Sequence, residues 1–213
     1  MSEARSLAGF EDAVRALLAW SEASHVPVLI IGGIAVSMLS KPRTTKDLDA
    51  VAWLPGPEAW PAFLADGERH GIVPRIPDAL NFALRSRVLL LLHEGSGIPI
   101  DLSLGAIPFE ENAVRRAVQT DVGGLRVPLP TPENLLVMKA VAHRARDMAD
   151  IESILSAHPR IDEAWVVSTV REFAEVLEAP ELVTDLEALL RRRTPAKVEK
   201  TKKPRRGGGT RSR

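Results

Sequence analysis

Asp47 and Asp49 stand two residues apart at the head of the apolar run Leu48 to Leu54, whose composition predicts a β-strand. Side chains alternate faces along a strand, so both carboxylates emerge on one side while Leu48 points inward. Carboxylates so placed repel, and a divalent cation relieves the repulsion. Hard oxygen ligands suit magnesium, which keeps several waters and is held by a few carboxylates together with substrate phosphates. A third acid, Asp101, lies in Ile98-Pro99-Ile100-Asp101-Leu102-Ser103-Leu104. Alternation there puts the isoleucines and leucines on one face and Asp101 on the other. If that strand lies beside the first, three carboxylates converge. Such a cluster can bind two cations that bridge an attacking oxygen, an α-phosphate and a leaving pyrophosphate. An Asp-x-Asp pair alone equally describes solvated charges at a strand end, so the residues around it have to discriminate.

Two neighbours do so. Gly32-Gly33 follows the apolar run Val28 to Ile31 and precedes a helical stretch, Ile34 to Leu39. At such a junction missing side chains let backbone N–H groups approach an anion directly, although an ordinary turn needing positive φ would also use glycine. Arg43, Thr45 and Lys46 then form a cationic segment immediately before the aspartates. An exposed pair between Arg43 and Asp47 would account for little of this arrangement; the local reversal of sign beside carboxylates suggests phosphate binding.

The elements that must position these groups follow from periodicity and turn chemistry. A first helix is predicted from about Leu7 to Ala23, and another from Glu58 to His70 after the Pro55-Gly56-Pro57 break. Arg87 to His93 and Ile98 to Leu104, separated by Glu94-Gly95-Ser96-Gly97, predict an antiparallel hairpin, with Asn81 to Arg85 extending its first strand. A short strand at Leu125 to Leu129 interrupts a region that is otherwise helical after Pro108. Thr131 is the expected N-cap and Pro132 the first residue of a helix through Leu135, Met138 and Val141. Further helices are expected at about Ala149 to Ala157, Asp162 to Leu177 and Pro180 to Arg193. The expected class is α+β: a small mixed or antiparallel sheet flanked by helices over residues 1–130, a helical half over 131–193, and a tail over 194–213.

Gly32-Gly33-x-Ala35, then Arg43-x-Thr45-x-Asp47-x-Asp49, then Asp101 on a later strand resembles the DNA polymerase beta-like nucleotidyltransferase superfamily over about residues 28 to 104. The combination is far more specific than its parts. The resemblance implies a minimal nucleotidyltransferase fold and transfer of a nucleoside monophosphate from a nucleoside triphosphate to a hydroxyl. Gly32 and Gly33 would position the triphosphate, with Arg43 and Thr45 beside it. Asp47 and Asp49 would bind two Mg2+ ions, and Asp101 would complete one metal site and help activate the hydroxyl. Many members have Gly-Ser at the turn; the Gly-Gly seen here is common in small prokaryotic branches.

A second block, Pro132-Glu133-Asn134-Leu135-Leu136 with Lys139 to Ile151, resembles the AbiEii-like toxin nucleotidyltransferases of type IV toxin–antitoxin systems. In that branch the residue at Lys139 reaches the nucleotide phosphates, and the Arg144 and Asp150 positions line the same cleft. It also implies the 3′ end of a transfer RNA, or other RNA, as acceptor and a cognate antitoxin as partner. Asp147 is read as a cap of the next helix, leaving Arg146 and Asp150 as neighbours on an exposed surface. His143, with no visible partner, is read as structural or surface. A competing expectation is a catalytically silent nucleotide- or partner-binding module of the same fold, as an antitoxin or regulatory subunit would be; retention of all three acids argues against it.

Composition sets the outer bounds. The chain of 213 residues has no cysteine, which removes disulfides, thiolate zinc sites and a cysteine nucleophile, and points to the cytoplasm. No apolar run approaches the roughly 18 residues of a membrane span, so no membrane partner is expected. Positive and negative residues balance at 28 each. Eight of the basic residues but only one of the acidic residues fall in 194–213, so the remainder is acidic and this end is basic and Gly-rich. The expectation there is a disordered tail able to hold an RNA backbone loosely or simply to keep the chain soluble.

Overall fold

Val28–Ile30 is a run of three buried apolar residues and forms β1, after the helix α1 (Glu11–Ala23). The computed structural model describes residue 7 and residues 9–192; the basic segment 194–213 lies outside the described residues. Next come α2 (Gly32–Leu39), β2 (Leu48–Ala52), a 3-10 turn at Pro57–Ala59, α3 (Trp60–Glu68), β3 (Ile72–Pro74), α4 (Ala79–Ser86), β4 (Val88–His93) and β5 (Ile98–Leu104). The five strands make one mixed sheet in the order β1-β2-β5-β4-β3. Its pairings are antiparallel except between β2 and β5, which run parallel with Asp49 opposite Asp101 and Val51 opposite Ser103. β4 and β5 form the expected hairpin. Pro74, which has no N–H to donate, is in the edge strand β3, where it costs no central ladder bond.

After the sheet come α5 (Pro108–Arg115) and a separate hairpin, β6 (Val118–Val122) with β7 (Leu125–Leu129), turned by Gly123 and Gly124 at φ 62° and 83°. Two consecutive positive φ values match the right-handed twist of a tight hairpin. Four helices close the described chain: α6 (Pro132–Ala142), α7 (Ala145–Ala157), α8 (Glu163–Val176) and α9 (Glu181–Arg192). Thr131 Oγ1 accepts from the Asn134 amide, and Pro132 occupies the first turn of α6, as expected.

Strand alternation sorts the sheet into two faces. Val28, Ile30, Leu48, Ala50, Ile100 and Leu102 join the main core, which also takes in Leu135, Ile151, Val166 and Leu186 of the later helices. Leu29 and Val51 project to the other face and pack with Ala113 and Val114 of α5. Asp49 and Asp101 occupy that second face one row away, where they are half-buried.

Two expectations are corrected. Asn81 to Arg85 does not extend β4; it belongs to α4, whose flanking residues Asp78 and Arg87 are both left-handed at φ 53° and 56° and so turn the chain away from the strand. Ala79 and Ala83, one helical turn apart, are its buried stripe. The helix expected from Ala149 starts at Ala145 instead, because Asp147 Oδ2 accepts the Arg144 amide and caps the first turn.

Candidate active site

The glycine turn and the first acidic strand are built against each other. Ile31 donates its amide to the Asp49 carbonyl at 2.9 Å, bringing the turn onto the start of β2. Gly32 has φ 62°, and a Cβ there would collide with the Asp49 carboxylate. A Cβ on Gly33 would lie 2.5 Å from Thr45 Oγ1. Both glycines are thus required by the side chains they face, Gly32 also by its backbone conformation. Thr45 Oγ1 donates to Asp47 Oδ1 at 3.0 Å, so this hydroxyl orients the first acid.

Asp47, Asp49 and Asp101 each offer a carboxylate oxygen, and these oxygens lie within 4.8 Å of one another. The convergence follows from the register, since the parallel pairing places Asp101 directly opposite Asp49 and alternation puts Asp47 on the same side. Burial raises the Asp49 pKa above 3.8, and the charges of Asp47 and Asp101 raise it further; a hydrogen bond from the Gly33 backbone and the charge of Lys139 oppose them. All-oxygen ligands, excess negative charge and partial exposure fit hard cations such as Mg2+.

A cleft of about 190 Å³ opens over this cluster, lined by Gly32, Gly33, Arg43, Thr45, Asp47, Asp49 and Ser103 from the sheet side and by Lys139, Arg144 and Arg146 from α6 and the start of α7. The structure therefore brings the sequence candidates together, with Asp101 on the adjoining strand. Their partners divide them into two groups. Lys139 Nζ lies 2.8 Å from Asp147 Oδ1 and 2.9 Å from Asp150 Oδ2, and Arg43 grips Asp150 through Nε at 2.9 Å and Nη2 at 3.2 Å. Lys139, Asp147 and Asp150 are buried. The expectation of Asp150 on an exposed surface beside Arg146 is thus overturned: Asp150 turns inward to two cations, while Arg146 faces the cleft. Asp147 caps α7, as expected, and also binds Lys139. Arg144 and Arg146 make no ion pair among the described residues. His143 pairs with Asp185 at 2.9 Å at the end of α6, outside the cleft lining.

Sequence reasoning misses Arg75, whose Nη2 lies 2.6 Å from Asp101 Oδ1, as well as Arg146 and Ser103 as cleft residues. Arg75 stands 26 positions before Asp101 and only the strand order β5-β4-β3 brings them close, so no local pattern marks it.

The fold has counterparts among solved structures. The solution structure of the antibiotic-resistance factor ANT(2'')-Ia is similar to this chain with a TM-score of 0.53 at 17% identity, over 80% of this chain and 95% of that one. A crystal structure of an antigenic nucleotidyltransferase-like protein from Paracoccidioides brasiliensis covers 86% of this chain and 94% of its own at 17% identity, with a TM-score of 0.46. No protein-family model and no curated protein matches the sequence. The chain has the nucleotidyltransferase fold. Among the described residues no helix is long and apolar enough to cross a membrane.

Proposed function

We propose that this protein is a magnesium-dependent nucleotidyltransferase that moves a nucleoside monophosphate from a nucleoside triphosphate to a hydroxyl acceptor. One observation carries the reading: three carboxylate oxygens within 4.8 Å of one another beside a glycine turn that admits no side chain. Asp47 and Asp49 would hold both ions and Asp101 one of them. Bound there, magnesium would supply charge neutralisation for the α-phosphate and the departing pyrophosphate.

The chain's own groups do the rest. Gly32 and Gly33, having no side chains, let the Asp49 carboxylate and the Thr45 hydroxyl pack directly on the turn, which brings the acids and the backbone at the start of α2 together beside the polyphosphate. Arg144 and Arg146, free of carboxylate partners among the described residues, supply cations to the β- and γ-phosphates, while Lys139, already shared between Asp147 and Asp150, contributes its field from beneath. Thr45 orients Asp47, and Arg43, tied to Asp150, fixes the segment carrying Thr45. The acceptor oxygen attacks the α-phosphorus in line, its proton passes to Asp101, and the bond from the α-phosphorus to the bridging oxygen of pyrophosphate breaks.

The acceptor we propose is the 3′ end of an RNA, with a transfer RNA as the first candidate, in a toxin controlled by a cognate antitoxin. Support for this finer reading is the AbiEii-like block from Pro132 to Ile151 and the basic segment 194–213. The test is incubation with each labelled triphosphate, Mg2+ and separated pools of RNA, protein and small molecules. Label should enter RNA, and Asp47→Asn should abolish it. Label in small molecules would replace RNA with a hydroxylated compound, while triphosphate binding without transfer to any pool would leave only a nucleotide-binding module.

A further inference from the structure

The acidic cluster has a cation of its own. Register places Leu90, Asp101 and Asp49 in one row across three strands, and Arg75, the residue that follows β3, continues it: Asp49 pairs with Asp101, Asp101 with Leu90, and Arg75 donates its amide to the Leu90 carbonyl at 3.0 Å. Residues directly opposite in neighbouring strands share a face, so Leu90 lies between Arg75 and Asp101, and the guanidinium reaches across it. Nη2 lies 2.6 Å from Asp101 Oδ1, and Nη1 donates to the Leu91 carbonyl at 3.4 Å. Asp101 Oδ1 is enclosed and has no other partner among the described residues. Its other oxygen is the one left for a ligand role. Neither side chain is deeply buried, at 27% and 33% exposure, so their attraction is screened yet still felt by a cation bound at the cluster.

We propose that Arg75 is the built-in counter-ion of the metal site: it holds one oxygen of Asp101, makes that acid a one-oxygen ligand, and keeps its side of the site weak for a cation until the negative triphosphate arrives. The inference rests on the metal reading above. Its consequence is ordered loading. Cations would enter mainly with the nucleotide, since a positive charge fixed beside Asp101 opposes a second positive charge there and the triphosphate offsets that opposition. A guanidinium serving only to join β3 to β5 would have no such effect.

The experiment measures Mn2+ binding to the full chain by the paramagnetic resonance of free Mn2+, with and without adenosine α,β-methylene triphosphate. Wild type is compared with Arg75→Met, Arg75→Gln and Arg75→Lys. Removing the charge should tighten Mn2+ binding without nucleotide by about five- to tenfold, the scale expected for one partly screened unit charge. Arg75→Lys should stay close to wild type, and the analogue should improve Mn2+ binding more in wild type than in Arg75→Met or Arg75→Gln. Arg75→Gln, which keeps a donor for the Leu91 carbonyl, serves where Arg75→Met does not fold. Equal or weaker Mn2+ binding by either variant in folded form overturns the counter-ion role. Absence of Mn2+ binding by every form, with and without the analogue, overturns the metal reading and this inference with it, a pattern distinct from equal binding by all.

Discussion

Two clusters of aspartates face the same cleft and are built oppositely. Beneath it, Asp147 and Asp150 are matched by Lys139 and Arg43: two acids, two bases, three of the four side chains buried and every contact between 2.8 and 3.2 Å. Beside it, Asp47, Asp49 and Asp101 are half-buried with one arginine between them, and burial together with mutual repulsion pushes the Asp49 pKa up. The first cluster is balanced within itself, each acid held by at least one cation. The second is left incomplete by its register, and an incomplete cluster at the rim of a cleft is one that a ligand completes. Residue type alone does not distinguish the two clusters; charge balance does.

The sharpest way to break this contrast is to remove one partner from each cluster. Lys139→Met leaves buried Asp147 with no cation and Asp150 with Arg43 alone, and should destabilise the fold by about 3–5 kcal/mol, as loss of one member of a buried ion pair does. Asp47→Asn should leave stability within about 0.5 kcal/mol of wild type while abolishing nucleotide transfer. Denaturant unfolding of both variants checks the pair of outcomes. If Asp47→Asn unfolds as easily as Lys139→Met, the acidic cluster is part of the scaffold.

A smaller effect is expected at the turn. Gly32→Ala places a Cβ at φ 62° against the Asp49 carboxylate, and should cost about 1–3 kcal/mol, the scale of a non-glycine residue held in a left-handed position. Because Asp49 is what must move, the same variant should weaken Mn2+ binding, while the Lys139 cluster, which does not touch Gly32, stays intact. Calorimetric titration and thermal melts separate the two. Unchanged Mn2+ affinity in Gly32→Ala would mean that Asp49 is not held by the turn.

How much of this can be read from the chain depends on whether the signal is local. Val28–Ile30, Leu48–Ala52 and the β4–β5 hairpin announce themselves because burial on one or both faces leaves apolar runs or strict alternation. The Asp47–Asp49 pair and the Gly32-Gly33 turn are local too. β6 carries no such signal: Val118, Gln119 and Asp121 are exposed, so its pairing with β7 imposes no apolar pattern. The middle of α4 reads as strand because its eight residues bury only two alanines. Arg75 and the inward turn of Asp150 are set by strand order and by packing of α7 on α2, which are properties of the fold rather than of any window of sequence.

The finest test of the comparison uses pH. With burial and two like charges raising it, the Asp49 pKa in the folded chain lies above its unfolded value of 3.8, so the folded state holds that proton more tightly. The contribution to stability is then fully present below 3.8 and is lost as pH rises through the folded value. In Asp49→Asn the side chain cannot titrate, yet its amide oxygen still accepts from the Gly33 backbone, so the difference between this variant and wild type isolates the one group from the rest. At neutral pH without Mg2+, Asp49→Asn should be the more stable protein. The gap should shrink as pH falls through the raised value and flatten below 3.8, and Mg2+ at neutral pH should narrow it from the other side by stabilising wild type alone. Urea melts across that range measure it. A wild type more stable than Asp49→Asn at neutral pH without Mg2+ would show that Asp49 is already satisfied by its surroundings, as Asp147 and Asp150 are, and the distinction between the two clusters would be lost.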